Sequence, residues 1–266
     1  MGTGSTAVPL TDFQQALARL LSVHRTPDSY LAGGAALHLE PRSRRYSADL
    51  DYFHDSVERT ARAFKEDRTL LEAQGYEVEV DMAQPGYLRA RVSRDGHATK
   101  VEWAHDSAWR FLPPIRDDIA GFTLHPIDLA INKVLALVGR DEPRDYLDVL
   151  DIHETILPLG ALLWAAAGKD PGFTPLSLLD LARRRGRYRP EDFDRLHLAA
   201  PVDPVDLKAR WQKALDDADV FIRQRPPAEV GCLYWSPSLQ RFIAPADHQT
   251  DAVPHFGRPG GILPAM

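Results

Sequence analysis

Asp49 and Asp51 flank Leu50 within LAGGAALHLEPRSRRYSADLDYF, residues 31–53. In an extended strand, side chains two apart share a face, so the two carboxylates project together while Leu50 enters the core. Like charges held that close repel. The usual reason to keep them there is a hard divalent cation with oxygen ligands, Mg²⁺ or Mn²⁺, which shares its remaining positions with phosphates. Upstream, an apolar strand end at Tyr30 and Leu31 runs into Gly33 and Gly34 and then into the helix-like Ala35, Ala36 and Leu37. A glycine turn at such a junction lets phosphates approach the backbone N–H groups of a helix start.

A Gly-Gly turn alone is more often structural than functional, and an Asp-x-Asp alone is more often two solvated carboxylates on a strand. Their order and spacing, with Arg45 and Ser47 between them, sharpen the combination. On Gly33-Gly34-Ala35-Ala36-Leu37 and Arg45-Tyr46-Ser47-Ala48-Asp49-Leu50-Asp51, the chain resembles the AbiE-type toxin nucleotidyltransferases of the DNA polymerase beta-like nucleotidyltransferase superfamily.

The rest of the first half reads as alternating helix and strand. Phe13, Ala16, Leu17, Leu20 and Leu21 have amphipathic helical spacing behind Thr11 as N-cap, and Val57 to Leu71 reads as a helix closed by Gly75. Tyr76 to Met82, Tyr87 to Ser93 and Ala98 to Ala104 read as strands, the last two joined at Asp95-Gly96, a strong hairpin signal. Tyr76 to Met82 alternates as a half-buried strand does. Lys100, Glu102 and Ala104 share one face of the last strand. By itself Glu102 reads as an exposed strand residue; the resemblance implies instead a third metal ligand, since the family carries an acidic residue on a later strand, commonly after a Lys.

The character of the chain changes at Pro113-Pro114. From there to about Pro227 no strand is legible, only helical runs with Pro126, Pro143, Pro175, Pro190 and Pro204 at first-turn positions, and with Thr174 and Asp203 as N-caps. Within HPIDLAINKVLALVGRDEPRDYLDVL, residues 125–150, Asp145 and Asp148 are neighbours on one helix face. Read alone, this is a helical hairpin with solvated charges. The family places a Lys on one helix, an Arg at its end and Arg-Asp-x-x-Asp on the next, and Lys133, Arg140, Arg144, Asp145 and Asp148 match that order.

Arg183, Arg184, Arg185, Arg187 and Arg189 form the densest basic run, and two readings of it stand: a solvated helix end stopped by Gly186, or a contact for RNA phosphates. Leu233 to Trp235 and Arg241 to Ile243 suggest a small hairpin, followed by a loose Gly/Pro-rich tail.

Composition narrows the function classes. The formal charge of −6 argues against a chain that binds nucleic acid through its whole field, so any RNA contact has to be local. One cysteine, Cys232, excludes an internal disulfide framework and a cysteine zinc cluster. With no leader-like start and no apolar run long enough to span a bilayer, a cytoplasmic location without membrane contact is expected.

The expectation is therefore an α/β (α+β) chain. A nucleotidyltransferase domain with a mixed sheet and flanking helices occupies residues 1–113, and a mostly helical domain with a C-terminal hairpin occupies 114–266. What the resemblance implies is transfer of a nucleoside monophosphate from a nucleoside triphosphate to an acceptor hydroxyl. Asp49, Asp51 and Glu102 would hold Mg²⁺ or Mn²⁺; Gly33, Gly34, and Arg45 or Ser47 would meet the triphosphate; Lys133 would reach it from the helical domain. Asp145 would orient either the acceptor or Lys133, or else form a salt bridge to an Arg. Family members are commonly toxins with a cognate antitoxin, and some resemble enzymes that extend tRNA 3′ ends. Arg183, Arg184 and Arg185 are the candidate RNA contacts. A small-molecule acceptor such as an antibiotic, a protein side-chain acceptor, and an inactive nucleotide- or protein-binding module are the alternatives.

Overall fold

A computed structural model describes residues 10–37, 39, 46–196, 198–246 and 251–265; Arg45 lies outside the described residues. The chain divides into two compact units, one of residues 1–108, 113–125 and 197–200, the other of 109–112, 126–196 and 201–266.

In the first unit, Thr11 starts α1 (Asp12–Leu21) through a reciprocal cap: its hydroxyl accepts from the Gln14 backbone N–H and the Gln14 side chain accepts from the Thr11 N–H. Then come β1 (Ser29–Ala32), α2 (Gly33–Leu37), β2 (Asp49–His54) and α3 (Val57–Ala73). The meander β3 (Glu77–Gln84), β4 (Tyr87–Arg94), β5 (His97–His105) follows, turning between the last two at Asp95-Gly96 as expected. After the two-residue strand β6 (Trp109–Arg110), which belongs to the second unit, β7 (Ile115–Asp117) and β8 (Gly121–Thr123) complete a seven-stranded mixed sheet in the order β3-β4-β5-β2-β1-β8-β7.

Residues 115–123 were expected to be strandless, yet they form an antiparallel pair whose inner member, β8, lies parallel to β1. Strands of three residues carry no readable alternation. The β3 segment, expected to be half-buried, is largely exposed because it is the sheet edge, with Val80 at 38% exposure.

One face of the sheet is covered by α1 and α3. Leu50, Tyr52 and His54 of β2 and Val101 and Trp103 of β5 are buried there, with the Phe64 and Trp103 rings 5.1 Å apart edge to face. Asp67 of α3 is fully buried in this layer. It accepts from Arg25 at 2.5 Å on both oxygens, from Trp103 Nε1 at 2.7 Å, and lies 2.8 Å from His24 Nδ1. Burial raises the Asp67 pKa, but Arg25, His24 and Trp103 outweigh it and hold the carboxyl below its usual range.

In the second unit, α4 (Pro126–Arg140), α5 (Pro143–Thr155), α6 (Leu159–Lys169), α7 (Pro175–Ala182), α8 (Pro190–Phe193) and α9 (Pro204–Gln224) follow in order. The five prolines singled out from the sequence each open a helix, and Thr174 and Asp203 cap α7 and α9 with side-chain bonds. The nearly all-apolar α6 is buried along most of its length against α4, α7 and α9. No single helix among the described residues is long and apolar enough to cross a membrane.

The expected hairpin forms as β9 (Cys232–Ser236) with β10 (Arg241–Ile243). The tail beyond it is not loose as expected: β11 (Val253–Phe256) pairs with the other edge of β9, and β12 (Arg258–Pro259) pairs with β6. Phe111 ties this down, its carbonyl accepting from Ile262 N–H at 3.0 Å with His255 Nε2 at 3.1 Å. Asp128 of α4 accepts from the Phe111 and Leu112 N–H groups at 2.9 and 3.0 Å. Buried Cys232 belongs to the packing, and burial pushes its thiol up to about 11.

The buried His54 ring generates a pH prediction. Among the described residues neither ring nitrogen has a hydrogen-bond partner, and burial, reinforced by Arg25 and Arg59, pushes the pKa down to about 3. A group whose folded pKa lies below its unfolded value of about 6.5 binds fewer protons folded than unfolded, so its contribution is complete above pH ~6.5 and is lost as pH falls toward 3. Urea unfolding should show stability declining below about pH 6.5, with up to ~1.4 kcal/mol per pH unit from this residue. His54→Leu should flatten that slope; the same slope in both proteins would rule out His54 as its source.

Candidate active site

Parallel pairing of β2 with β5 sets the register Asp49 with Lys100, Leu50 with Val101, and Asp51 with Glu102. Since Leu50 and Val101 face the helix-covered core, the alternation puts Asp49, Asp51, Lys100 and Glu102 on the opposite face. One carboxylate oxygen from each of Asp49, Asp51 and Glu102 lies within 4.8 Å of the others. The three residues expected to act as metal ligands are therefore brought into one cluster.

Neighbours aim these carboxylates. The Ser47 hydroxyl lies 3.2 Å from Asp49 Oδ1 and 3.1 Å from the Asp49 carbonyl. The Ser47 segment is held in turn by the buried Gln14 side-chain amide, which donates to the Ser47 carbonyl at 3.1 Å and to Thr99 Oγ1 at 3.2 Å. Lys100 Nζ stands between two carboxylates, 2.8 Å from Asp49 Oδ2 and 2.9 Å from Glu102 Oε1. Burial works to lower the Lys100 pKa, but its hydrogen bonds to Asp49 and Glu102 prevail and raise it. The Tyr87 hydroxyl bonds to Glu102, and burial together with that carboxylate raises its pKa.

Gly33 makes room for Asp51. Ala32 pairs with Asp51 across β1 and β2, and the chain turns at Gly33 with φ +62°, a conformation side-chain-bearing residues rarely adopt. A Cβ on Gly33 would lie 2.0 Å from Asp51 Oδ2. Gly34 follows, buried in the first turn of α2.

The donor set fits a hard divalent cation. It offers only carboxylate oxygens from the chain, the chemistry that Mg²⁺ and Mn²⁺ select. With all groups ionised, the three carboxylates and Lys100 leave a formal charge of −2.

The second unit carries its own charge cluster. Lys133 Nζ lies 3.0 Å from Asp145 Oδ1 and 3.1 Å from Asp148 Oδ2, with the lysine side chain only 8% exposed. Arg140 closes on the same Asp145 as a fork, Nε to Oδ2 at 2.6 Å and one Nη to Oδ1 at 3.0 Å. Burial pushes the Asp145 pKa up, but Arg140 and Lys133 outweigh it and the net shift is down. In the arginine run, Arg183 pairs with Asp180 and Asp219 at 3.4 Å each; Arg185 bonds to the Val138 carbonyl and lies 3.4 Å from Asp141. Arg184, Arg187 and Arg189 are exposed.

Sequence reasoning put Lys100 on the face of Glu102 and gave it no role, and it missed Tyr87 and Gln14 altogether. Their partners lie on other strands or helices, and the register that joins them is not a local signal.

A family model described as nucleotidyl transferase AbiEii toxin, type IV TA system, matches residues 15–230. No match was found among curated proteins. Among solved structures, the chain is similar to MenT4, a nucleotidyltransferase toxin from Mycobacterium tuberculosis H37Rv, with a TM-score of 0.53 at 19% identity over 81% of this chain and 83% of that one. JHP933 from Helicobacter pylori gives a TM-score of 0.45 at 15% identity over 79% of this chain and 95% of that one. The MenT4 likeness is one of fold.

The Gly33 geometry makes a quantitative comparison possible. Gly96 also has a positive φ, +79°, but nothing lies within 4 Å of its Cβ position. Gly96→Ala should therefore cost backbone strain alone, about 1–2 kcal/mol, and Gly33→Ala measurably more because Asp51 has to shift as well. Denaturant unfolding of both variants decides it; equal losses would mean that the Asp51 contact is easily relieved.

Proposed function

Because the chain belongs to the AbiEii family of nucleotidyltransferase toxins of type IV toxin–antitoxin systems, we propose a specific reaction for it: transfer of a nucleoside monophosphate from a nucleoside triphosphate to a hydroxyl of RNA, such as a tRNA 3′ end. The acceptor oxygen bonds to the α-phosphorus, the bond to the bridging oxygen breaks, pyrophosphate leaves, and the hydroxyl proton passes to solvent. The observation that carries this reading is the convergence of Asp49, Asp51 and Glu102 within 4.8 Å beside the Gly33 turn. Membership implies a nucleoside triphosphate substrate and a cognate antitoxin as partners, and the reading places the reaction in the cytoplasm.

In this proposal Asp49, Asp51 and Glu102 would hold Mg²⁺ or Mn²⁺, and the ion would supply charge neutralisation for the transfer. Ser47 keeps Asp49 aimed. Gly33 and Gly34 let phosphates approach the backbone. Asp145 and Asp148 each take an ammonium donor of Lys133, which fixes the direction of its side chain. Asp145 is thereby assigned to orienting Lys133.

The RNA acceptor rests on Arg184 and Arg187. Arg183 and Arg185, also expected as RNA contacts, make internal ion pairs, which restricts what they can offer to phosphates. That restriction, with the net charge of −6, favours a second reading in which the acceptor is a small molecule or a protein side chain. The three converging carboxylates argue against an inactive module.

Incubating the protein with each labelled triphosphate, with and without total RNA, separates the acceptors by where the label goes. Asp51→Asn, which turns a charged ligand into a neutral amide, should reduce label transfer at least a hundredfold while leaving the circular dichroism spectrum unchanged. Full activity in that variant would remove the site assignment.

If RNA takes the label, transfer should fall steeply with salt. The doubly substituted Arg184→Ala/Arg187→Ala protein should show a log–log slope shallower by about one to two units. Coincident curves would make those arginines a solvated surface.

A further inference from the structure

The proposed metal site already contains a cation of its own. Lys100 Nζ lies within 3 Å of one oxygen of Asp49 and one of Glu102. The register that pairs Lys100 with Asp49, and Glu102 with Asp51, directs its side chain onto the face of the cluster. The second Asp49 oxygen faces the Ser47 hydroxyl at 3.2 Å, so both oxygens of that carboxylate are engaged.

An ammonium is a compact point charge on a flexible stem, and it satisfies a carboxylate in the same direction that a metal ion would use. A divalent ion at a carboxylate oxygen sits about 2.0–2.1 Å away, so an ammonium on the same oxygen would face it at close range with like charge. The lysine side chain is 39% exposed, so an aqueous route away from the carboxylates is open.

Resting on the reading of Asp49, Asp51 and Glu102 as metal ligands, we propose that Lys100 is the resident counter-ion of the cluster: it holds Asp49 and Glu102 together in the metal-free protein and leaves both when a divalent cation binds. Lys100 is then a positioning residue with two states. In one it suppresses the repulsion that would spread the carboxylates; in the other its ammonium is released on the face where the substrate phosphates are expected. The neighbouring strand supplies further positive charge on that face, since Arg91 pairs with Lys100 and Arg89 with Glu102 across β4 and β5.

Mn²⁺ affinity, read from the electron paramagnetic resonance signal of free Mn²⁺ in the absence of nucleotide, tests this directly. Lys100→Met keeps the stem and removes the charge, and should bind Mn²⁺ about tenfold tighter or more than the wild type. Arg91→Met removes a like charge from the adjacent register position and should change affinity less than about twofold. Equal gains in the two variants would show that Lys100 acts only through the general field, and would overturn the proposal.

A measurement on the unmodified chain stands beside it. Acylation of Lys100 by a soluble amine-reactive ester, quantified by mass spectrometry, should rise several-fold on adding Mn²⁺, and an unchanged rate would also overturn the proposal. If the wild type binds no Mn²⁺ and Asp51→Asn behaves identically, the metal-ligand assignment itself fails. Mn²⁺ binding that is lost in Asp51→Asn but unaltered in Lys100→Met defeats only the role given to Lys100.

Discussion

Three carboxylates within 4.8 Å of one another repel, and much of the first unit is explicable as what holds them there. The parallel register of β2 and β5 brings Asp51 and Glu102 side by side, and the antiparallel register of β1 and β2 brings Gly33 against Asp51. Shifting either strand by one residue would turn the acidic side chains into the core. The cluster therefore depends on apolar contacts on the other face: Leu50, Val101 and Trp103 can be buried in one register only, and that register exposes the acids together.

The helix-covered face has its own polar requirement. Arg25 and Asp67 are both fully buried in their side chains, a pair that is costly to desolvate and strongly destabilising to split. Trp103 donates to the same carboxylate from β5, two strands' width from β1 and one from β2, so the network links α3 to the strand that bears Glu102. Gln14 makes a second link, from α1 to Thr99 of β5 and to the carbonyl of Ser47, two residues before Asp49. Through these two contacts both covering helices bear on the strands that carry the acids. Such support restricts side-chain rotamers in a way that apolar packing alone does not.

What the sequence made legible follows the range of the interaction that decides it. Thr11, Thr174 and Asp203 act within one helical turn of themselves, and the helix-opening prolines act on their own dihedral angle, so these were readable at once. The Asp49 and Asp51 pairing needed only strand periodicity, while Glu102 and the Lys133 hairpin needed the family resemblance to stand above other charged residues. By contrast β7 and β8 have three residues each and join the sheet only through the pairing of β8 with β1, some ninety residues upstream. The tail strands β11 and β12 lie in a Gly/Pro-rich stretch whose composition argues for irregularity, yet β9 and β6 offer unpaired edges that outweigh it. Lys100 was visible as a residue but not as a bridge, because its second partner arrives from a different strand.

The two lysine clusters show how burial turns the same chemistry to different uses. Each lysine touches two carboxylates at about 3 Å: Lys133 with Asp145 and Asp148, Lys100 with Asp49 and Glu102. Asp145 and Asp148 are 0% and 2% exposed in their side chains, and the Lys133 side chain is 8% exposed, so withdrawing the ammonium would take a cation from two buried carboxylates that water cannot readily reach. Arg140 holds Asp145 from the other side through two charge-assisted hydrogen bonds, which fixes the carboxylate that Lys133 touches. Asp49 and Glu102 are 12% and 19% exposed and Lys100 39%, so water reaches the ammonium as it leaves and the separation costs less than at Lys133. A lysine in the first setting stays with its carboxylates. A lysine in the second setting can be exchanged for another cation, and the carboxylates it leaves behind are then free to hold one.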